Sequence, residues 1–282
     1  MNVLTAAIPI FYQLLSAYQP SLSKAVYRPF SSTVSIPTQV VEVTPIPTPT
    51  VALSTAPPIT EAITIPKNIG GISKTVSIAL LGDSMIETLN IDMINKSLNT
   101  YYPNSTFNIT KFGSPAQTIE YGKKRLEAEI IPLKPDIIVI ESFAYNNFGN
   151  TEDSINRHWL ELGAITTIIK TKLPNTKIIL AATICPNSTS FGNGSEFRFS
   201  SMEKQEKVKT IDLYLQSTIN FATSQKFIIA DAYSVSCDKS GQGLPELINS
   251  QDNIHPSELG KQLFADTLSQ TIYKNKIVDN LL

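Results

Sequence analysis

Val76-Ser77-Ile78-Ala79-Leu80-Leu81-Gly82-Asp83-Ser84 is the stretch that decides the fold. Its apolar run is nearly continuous, as in a strand covered on both faces, and it stops on a polar Gly-Asp-Ser turn. A helical pattern follows at once, through about Asn99. A buried strand feeding a helix through a tight turn is the opening unit of a parallel α/β sheet.

The same alternation continues along the chain. Thr106 to Phe112 reads as a second strand and is followed by a helix from about Gln117 to Glu129. Asp136-Ile137-Ile138-Val139-Ile140 is a third strand, followed by a long amphipathic helix from about Ser154 to Lys172. Strands at 177–183 and 227–230 are separated by a helix near Glu203–Ala222, and a last helix runs from about Pro256 to Tyr273. Strands alternating with helices predict a three-layer α/β/α sandwich with a five-stranded parallel sheet over residues 71–282. Ligands in such sheets sit at the carboxyl ends of the strands. Five polar loops should therefore gather on one edge: Gly82–Ser84, Gly113–Thr118, Ser142–Asn147, Cys185–Asn187 and Asp252–His255.

The rest of the composition bounds the function. Over 282 residues the formal net charge is −1, which gives no electrostatic footprint for nucleic acid. Two histidines and two cysteines, none clustered at ligand spacing, argue against a dedicated metal site, so no cofactor and no metal are expected. Residues 1–28 form an apolar N-terminal segment that fits a signal-peptide core or an anchor, although it lacks a basic flank. Residues 29–70 form a Pro/Thr-rich linker. From Pro29 to Pro66 there are eight prolines, eight threonines and no glycine, a composition that disfavours a packed core. Extended at ~3.1 Å per residue, it would reach on the order of 100 Å, enough to hold a domain away from a membrane or wall. The expected location is extracellular or anchored on the outer face.

Chemistry concentrates in two blocks far apart in sequence. A serine hydroxyl is a weak nucleophile at neutral pH and needs a base in hydrogen-bond reach, itself oriented by an acid. Ser84 sits at a strand end, and Asp252-Asn253-Ile254-His255 places a carboxylate three residues before one of the two histidines. Such a pair folds into one turn with the carboxylate on Nδ1 and Nε2 left for the serine. Pro256 is expected at the first helical position behind it.

With these residues in place, the chain resembles the SGNH (GDSL-type) hydrolase family over roughly residues 75–275. Four blocks match in order: Gly82-Asp83-Ser84-Met85, Gly113 to Thr118, Ala144-Tyr145-Asn146-Asn147, and Asp252-Asn253-Ile254-His255. The resemblance implies a flavodoxin-like fold and a metal-independent serine esterase. Ser84 would be its nucleophile, His255 its base and then its acid, and Asp252 its orienter. The implied oxyanion hole is made by the Ser84 amide, the Ala116 amide and the Asn146 side chain. Three positions depart from the family pattern. Met85 replaces a usual Leu at similar volume. Ala116 stands where the family usually has Gly, and it supplies the same N–H as long as its φ is negative; a positive φ would strain and distort the hole. Ala144-Tyr145-Asn146-Asn147 replaces Gly-x-Asn-Asp, keeping the donor Asn and losing a neighbouring charge.

Other residues have plainer readings. Asp83 is expected to brace the turn, Glu141 to be a buried partner for a loop donor in preference to a specificity group, and His158 to be solvated or half-packed. Cys185 and Cys237 follow neighbouring strands, so a disulfide near the cleft is open. Phe143, Tyr145, Phe148, Phe191, Phe197 and Phe199 suit stacking on a sugar or acyl chain, and equally core packing. The expected activity is ester hydrolysis on a small-molecule or glycan ester, acetate on carbohydrate or cell-envelope material above all. An O-acyltransferase on surface polysaccharide and a non-catalytic surface binding module with a vestigial site are the alternatives. Acyl length and oligomeric state are not encoded in any motif.

Overall fold

The computed structural model describes residues 73–281. The apolar segment 1–28 and the Pro/Thr-rich stretch 29–70 lie outside the described residues. Five strands form one parallel sheet: β1 (Thr75–Gly82), β2 (Thr106–Gly113), β3 (Ile137–Glu141), β4 (Lys177–Ala182) and β5 (Ile228–Asp231). Their order is β2-β1-β3-β4-β5, the flavodoxin-like arrangement expected from the sequence.

The alternation of side chains in β1 and β3 builds the three layers. Val76, Ile78 and Leu80 of β1, with Ile137 and Val139 of β3, face α2 (Ile91–Tyr101) and α7 (Glu258–Lys274), where Ile94, Leu98, Phe264, Leu268 and Ile272 meet them. Ala79, Leu81, Ile138 and Ile140 face the other way. They pack on Ile119 of α3 (Ile119–Arg125), on Leu162, Ile165 and Ile169 of α4 (Glu152–Lys172), and on Phe221 of α5 (Ser201–Gln225). Each such Ile or Leu contributes about 1.5–3 kcal/mol on burial, so the two central strands are the most firmly held part of the sheet. Every residue of β3 is buried, as a near-continuous apolar run requires.

Three local expectations need correction. The helix expected from Ser84 to Asn99 is two helices, a single turn α1 (Ser84–Glu87) and then α2. The break follows from Asn90, whose side chain caps α2 by accepting from the Asp92 amide. The Lys111 ammonium donates to the carbonyls of Glu87 and Leu89, satisfying groups that a continuous helix would have used. Pro256 is not the first helical residue. Ser257 is the N-cap of α7 and accepts from the Gly260 amide, while Pro256 bridges to Ile248. A short helix α6 (Ala232–Ser236), capped by Asp231, follows β5 and has no counterpart in the sequence pattern.

Beyond β4 and α6, two loops are laced together. Cys185 and Cys237 form a disulfide with Cα atoms 5.4 Å apart. Around it, the Ser236 hydroxyl accepts from the Cys185 amide at 2.8 Å, and the Asn187 amide group donates to the Gly243 carbonyl at 2.8 Å. Gly243 is obligatory there, since a Cβ would lie 2.1 Å from the Cys185 oxygen. Closing a loop of 52 residues restricts the unfolded chain; the chain-entropy model puts the effect at about 4 kcal/mol. Replacing both cysteines by serine should lower the urea midpoint by an amount equivalent to about 2–4 kcal/mol. Thiol titration of the denatured, unreduced protein should find no reactive thiol; two would contradict the bond.

Candidate active site

The sheet order reverses between β1 and β3. The chain leaves β1 to build β2 on one side and returns to build β3 on the other, which opens a crevice beyond their carboxyl ends. Ser84 leaves β1 and Asn146 leaves β3, so both border that crevice. A cavity of about 880 Å³ opens there. Its lining includes Ser84, Ala116, Asn146 and His255, which gathers one member from each of the four sequence blocks.

The turn that carries Ser84 is built by close approach. A Cβ on Gly82 would lie 2.3 Å from Ile86 and 2.8 Å from the Glu141 side chain, so only glycine fits. Asp83 is completely buried and caps α1, its Oδ1 accepting from the Met85 amide at 2.8 Å. Its Oδ2 accepts from Asn146 Nδ2 at 2.8 Å. The residue expected to brace the turn thus also holds an oxyanion candidate.

The Asp252 carboxylate performs two tasks with its two oxygens. Oδ1 accepts from the amides of Ile254 (2.8 Å) and His255 (3.0 Å), folding residues 252–255 into a turn. Oδ2 pairs with His255 Nδ1 at 2.8 Å. Burial raises the Asp252 pKa, but the imidazole and the two amides together outweigh it and hold the carboxyl below its ordinary value. The acceptor-only carboxylate fixes the proton on Nδ1 and leaves Nε2 as a base. Asn253, at φ +54°, completes the turn and donates to the Asn193 carbonyl at 2.7 Å, tying the His255 loop to the loop that follows Phe191.

Ser84 Oγ and His255 are not hydrogen-bonded to each other among the described residues. They line one cavity, and such bonds commonly tighten only when substrate is bound. Ala116 has φ +58°, the sign expected to strain the hole and not the negative one that would keep its donor. The left-handed backbone of a non-glycine residue costs about 1–2 kcal/mol, and the residue lines the cavity all the same. Phe143, at φ +54°, is a second such residue on the loop that carries Asn146; its amide is held by Glu141 and its ring is buried against Gly122.

His158 is buried, contrary to the solvated or half-packed expectation. Nε2 donates to the Ser142 carbonyl at 2.8 Å, and the ring meets Tyr214 edge-on. Burial pulls its pKa down to about 4, so it stays neutral and serves packing. Glu141 is buried as a partner to loop donors. It accepts from the Ser142 hydroxyl at 2.5 Å and from the Phe143 amide at 2.8 Å, with the Asp83 amide at 3.5 Å. Burial raises both neighbouring acids: Asp83 is pushed up to about 6, and Glu141 well above its ordinary range by burial and then by the charge of Asp83.

One wall of the cavity is aromatic. Tyr145, Phe191, Phe199 and Phe197 stack in series with centroid separations of 6.4, 6.2 and 5.2 Å. Phe143 is core instead. Opposite chemistry comes from Glu196, and from Glu203, Glu206 and Lys207 on α5. No motif marked these residues, because they reach the site only through the fold of the 187–199 loop and the start of a surface helix.

No family model matches the sequence, and no curated protein matches it either. Solved structures do. The chain is similar to a lipase/acylhydrolase from Enterococcus faecalis, at 19% identity and a TM-score of 0.56 over 71% of this chain and 96% of that one. A GDSL-like lipase from Bacteroides thetaiotaomicron matches at 16% identity and TM-score 0.53, over 71% and 88% of the two chains. A catalytic mutant of an acetylxylan esterase from Geobacillus stearothermophilus matches at 16% identity and TM-score 0.51, over 71% and 95%. The chain therefore has the fold of the SGNH/GDSL hydrolases.

Losing one oxyanion donor typically lowers kcat by ~10²–10³, and losing the general base should lower it further. Steady-state kinetics on an activated acetate ester should rank His255→Ala as more damaging than Asn146→Ala. The reverse order would overturn these assignments.

Proposed function

We propose that this chain, with its SGNH hydrolase fold, is a serine carboxylic ester hydrolase that works through an acyl-enzyme on Ser84. The observation that carries the reading is His255, bonded to Asp252 at 2.8 Å and lining the same cavity as Ser84. Ser84 Oγ attacks the ester carbonyl while His255 Nε2 takes its proton. Negative charge then grows on the carbonyl oxygen, where the Ser84 amide and the Asn146 side chain are the donors at hand. Collapse breaks the acyl–oxygen bond, and His255 returns the proton to the departing alcohol. Water, deprotonated by the same imidazole, releases the acid.

The finer reading is a short acyl group, acetate above all, on carbohydrate or cell-envelope material outside the cell. Support for a glycan comes from the row of stacked rings, whose faces suit sugar rings, and from the likeness to an acetylxylan esterase. Support for an extracellular place comes from the Cys185–Cys237 disulfide and from the Pro/Thr-rich composition of residues 29–70.

An aryl acetate should be turned over with a burst of phenol, and Ser84→Ala should abolish both burst and steady state. A binding module with a vestigial site would give equal, negligible rates in both proteins. Acetylated glycans in the same assay should release acetate faster than they pass it to added sugar acceptors, whereas acylated acceptor as the main product would make the protein a transferase.

A further inference from the structure

Asn146 is an amide, and an amide can be turned end for end without leaving its place. Only the NH₂ end helps an oxyanion; the oxygen end would repel it. Something must fix which end faces the cavity. The sole side chain bonded to Asn146 Nδ2 among the described residues is Asp83, through Oδ2 at 2.8 Å. An ionised carboxylate can only accept, so it admits only the NH₂ end, whose second N–H is left over for the cavity. The carboxylate is itself fixed, because Oδ1 is taken by the Met85 amide at 2.8 Å and the side chain is fully buried. Glu141 ties the two loops together, reaching the Phe143 amide on one and the Asp83 amide on the other.

We propose that Asp83 is the positioning residue of the oxyanion hole, an acceptor-only lock that holds the Asn146 amide with its donor end toward the substrate. The inference rests on the ester-hydrolase reading and deepens it. It also explains why the turn carries an aspartate where asparagine would cap α1 equally well. With Asn at 83, the Met85 amide still demands an oxygen at the Oδ1 position. The amide nitrogen then stands where Oδ2 was, facing Asn146. Two NH₂ groups cannot bond each other, so Asn146 turns its oxygen to residue 83 and its amide group is lost to the hole.

Asp83→Asn should therefore lower kcat by ~10²-fold, near the effect of deleting the donor, with KM changed by less than about threefold. The double variant Asp83→Asn/Asn146→Ala should be within about threefold of Asn146→Ala alone, because the lock has nothing left to hold. A wild-type-like Asp83→Asn, or losses that multiply in the double variant, would overturn the proposal.

A second measurement needs no change in the buried acid. Asp83 is faced by Glu141 from β3, by Asn146 and Tyr145 from the turn after it, and by His255 from the loop before α7. Acidification through about 6 protonates Asp83, which can then donate as well as accept and no longer selects one end of the amide. Log kcat/KM of the wild type should show an acid-side loss centred on the Asp83 titration at about 6 that Asn146→Ala lacks. Identical acid limbs would overturn the proposal, whereas the absence of Ser84-dependent turnover in the wild type would instead sink the ester-hydrolase reading beneath it.

Discussion

The parallel pairing of β1 with β3 is the constraint from which the site follows. Leu81 lies beside Ile140 in register, so Gly82-Asp83-Ser84 and Glu141-Ser142-Phe143 leave the sheet side by side. Neither loop can drift, because the strands behind them are buried on both faces. Polar groups that arrive together without water must then satisfy one another. Glu141 does this for the Ser142 hydroxyl and the Phe143 amide, and Asp83 does it for Met85 and Asn146. The geometry of this corner is a by-product of two strand ends being forced together.

The other half of the site is held quite differently. The Asp252–His255 turn belongs to no strand, and its shape comes from one carboxylate that accepts two amides and an imidazole. Its position comes from pairing at both flanks: Ile248 with Pro256 on one side, and Asn253 with Asn193 on the other. The disulfide and the Gly243 contact then anchor the Cys185–Asn187 loop that leads into the cavity wall. Sheet edge and laced loops thus meet at one cavity, the first bringing Ser84 and the second His255.

Most of this frame was legible in the chain. Buried strands read plainly where apolar runs stop at polar turns, as in 76–81 and 136–140, because burial on both faces leaves no polar residue to blur the period. The Ser84 and Asp252–His255 blocks were legible for a chemical reason, the spacing that lets one turn join carboxylate to imidazole. What stayed hidden depends on tertiary partners. Nothing in Ser84–Asn99 announces that Lys111, from the neighbouring strand, takes the carbonyls that end α1. His158 reads as polar beside Trp159 on a helix, and only the Ser142 carbonyl beneath it explains its burial. The backbone sign at Ala116 was equally invisible, since alanine favours the opposite one.

Asp83 shows how stability and function pull apart in this corner. Burial raises its pKa from 3.8 to about 6, so the folded protein prefers the neutral acid. A carboxyl whose folded pKa is raised favours the native state fully below about pH 4, and that advantage fades as the pH climbs through 6. A shift of that size corresponds to on the order of 3 kcal/mol against the ionised native state. Yet only the ionised form is acceptor-only and able to fix the Asn146 amide. Glu141 beside it is raised as well, by burial and then by the charge of Asp83, so the neighbouring acid adds to the cost of ionising this corner. The apolar burial of β1 and β3 beneath offsets that cost, so the firmly packed strands and the costly carboxylates stand at the same place.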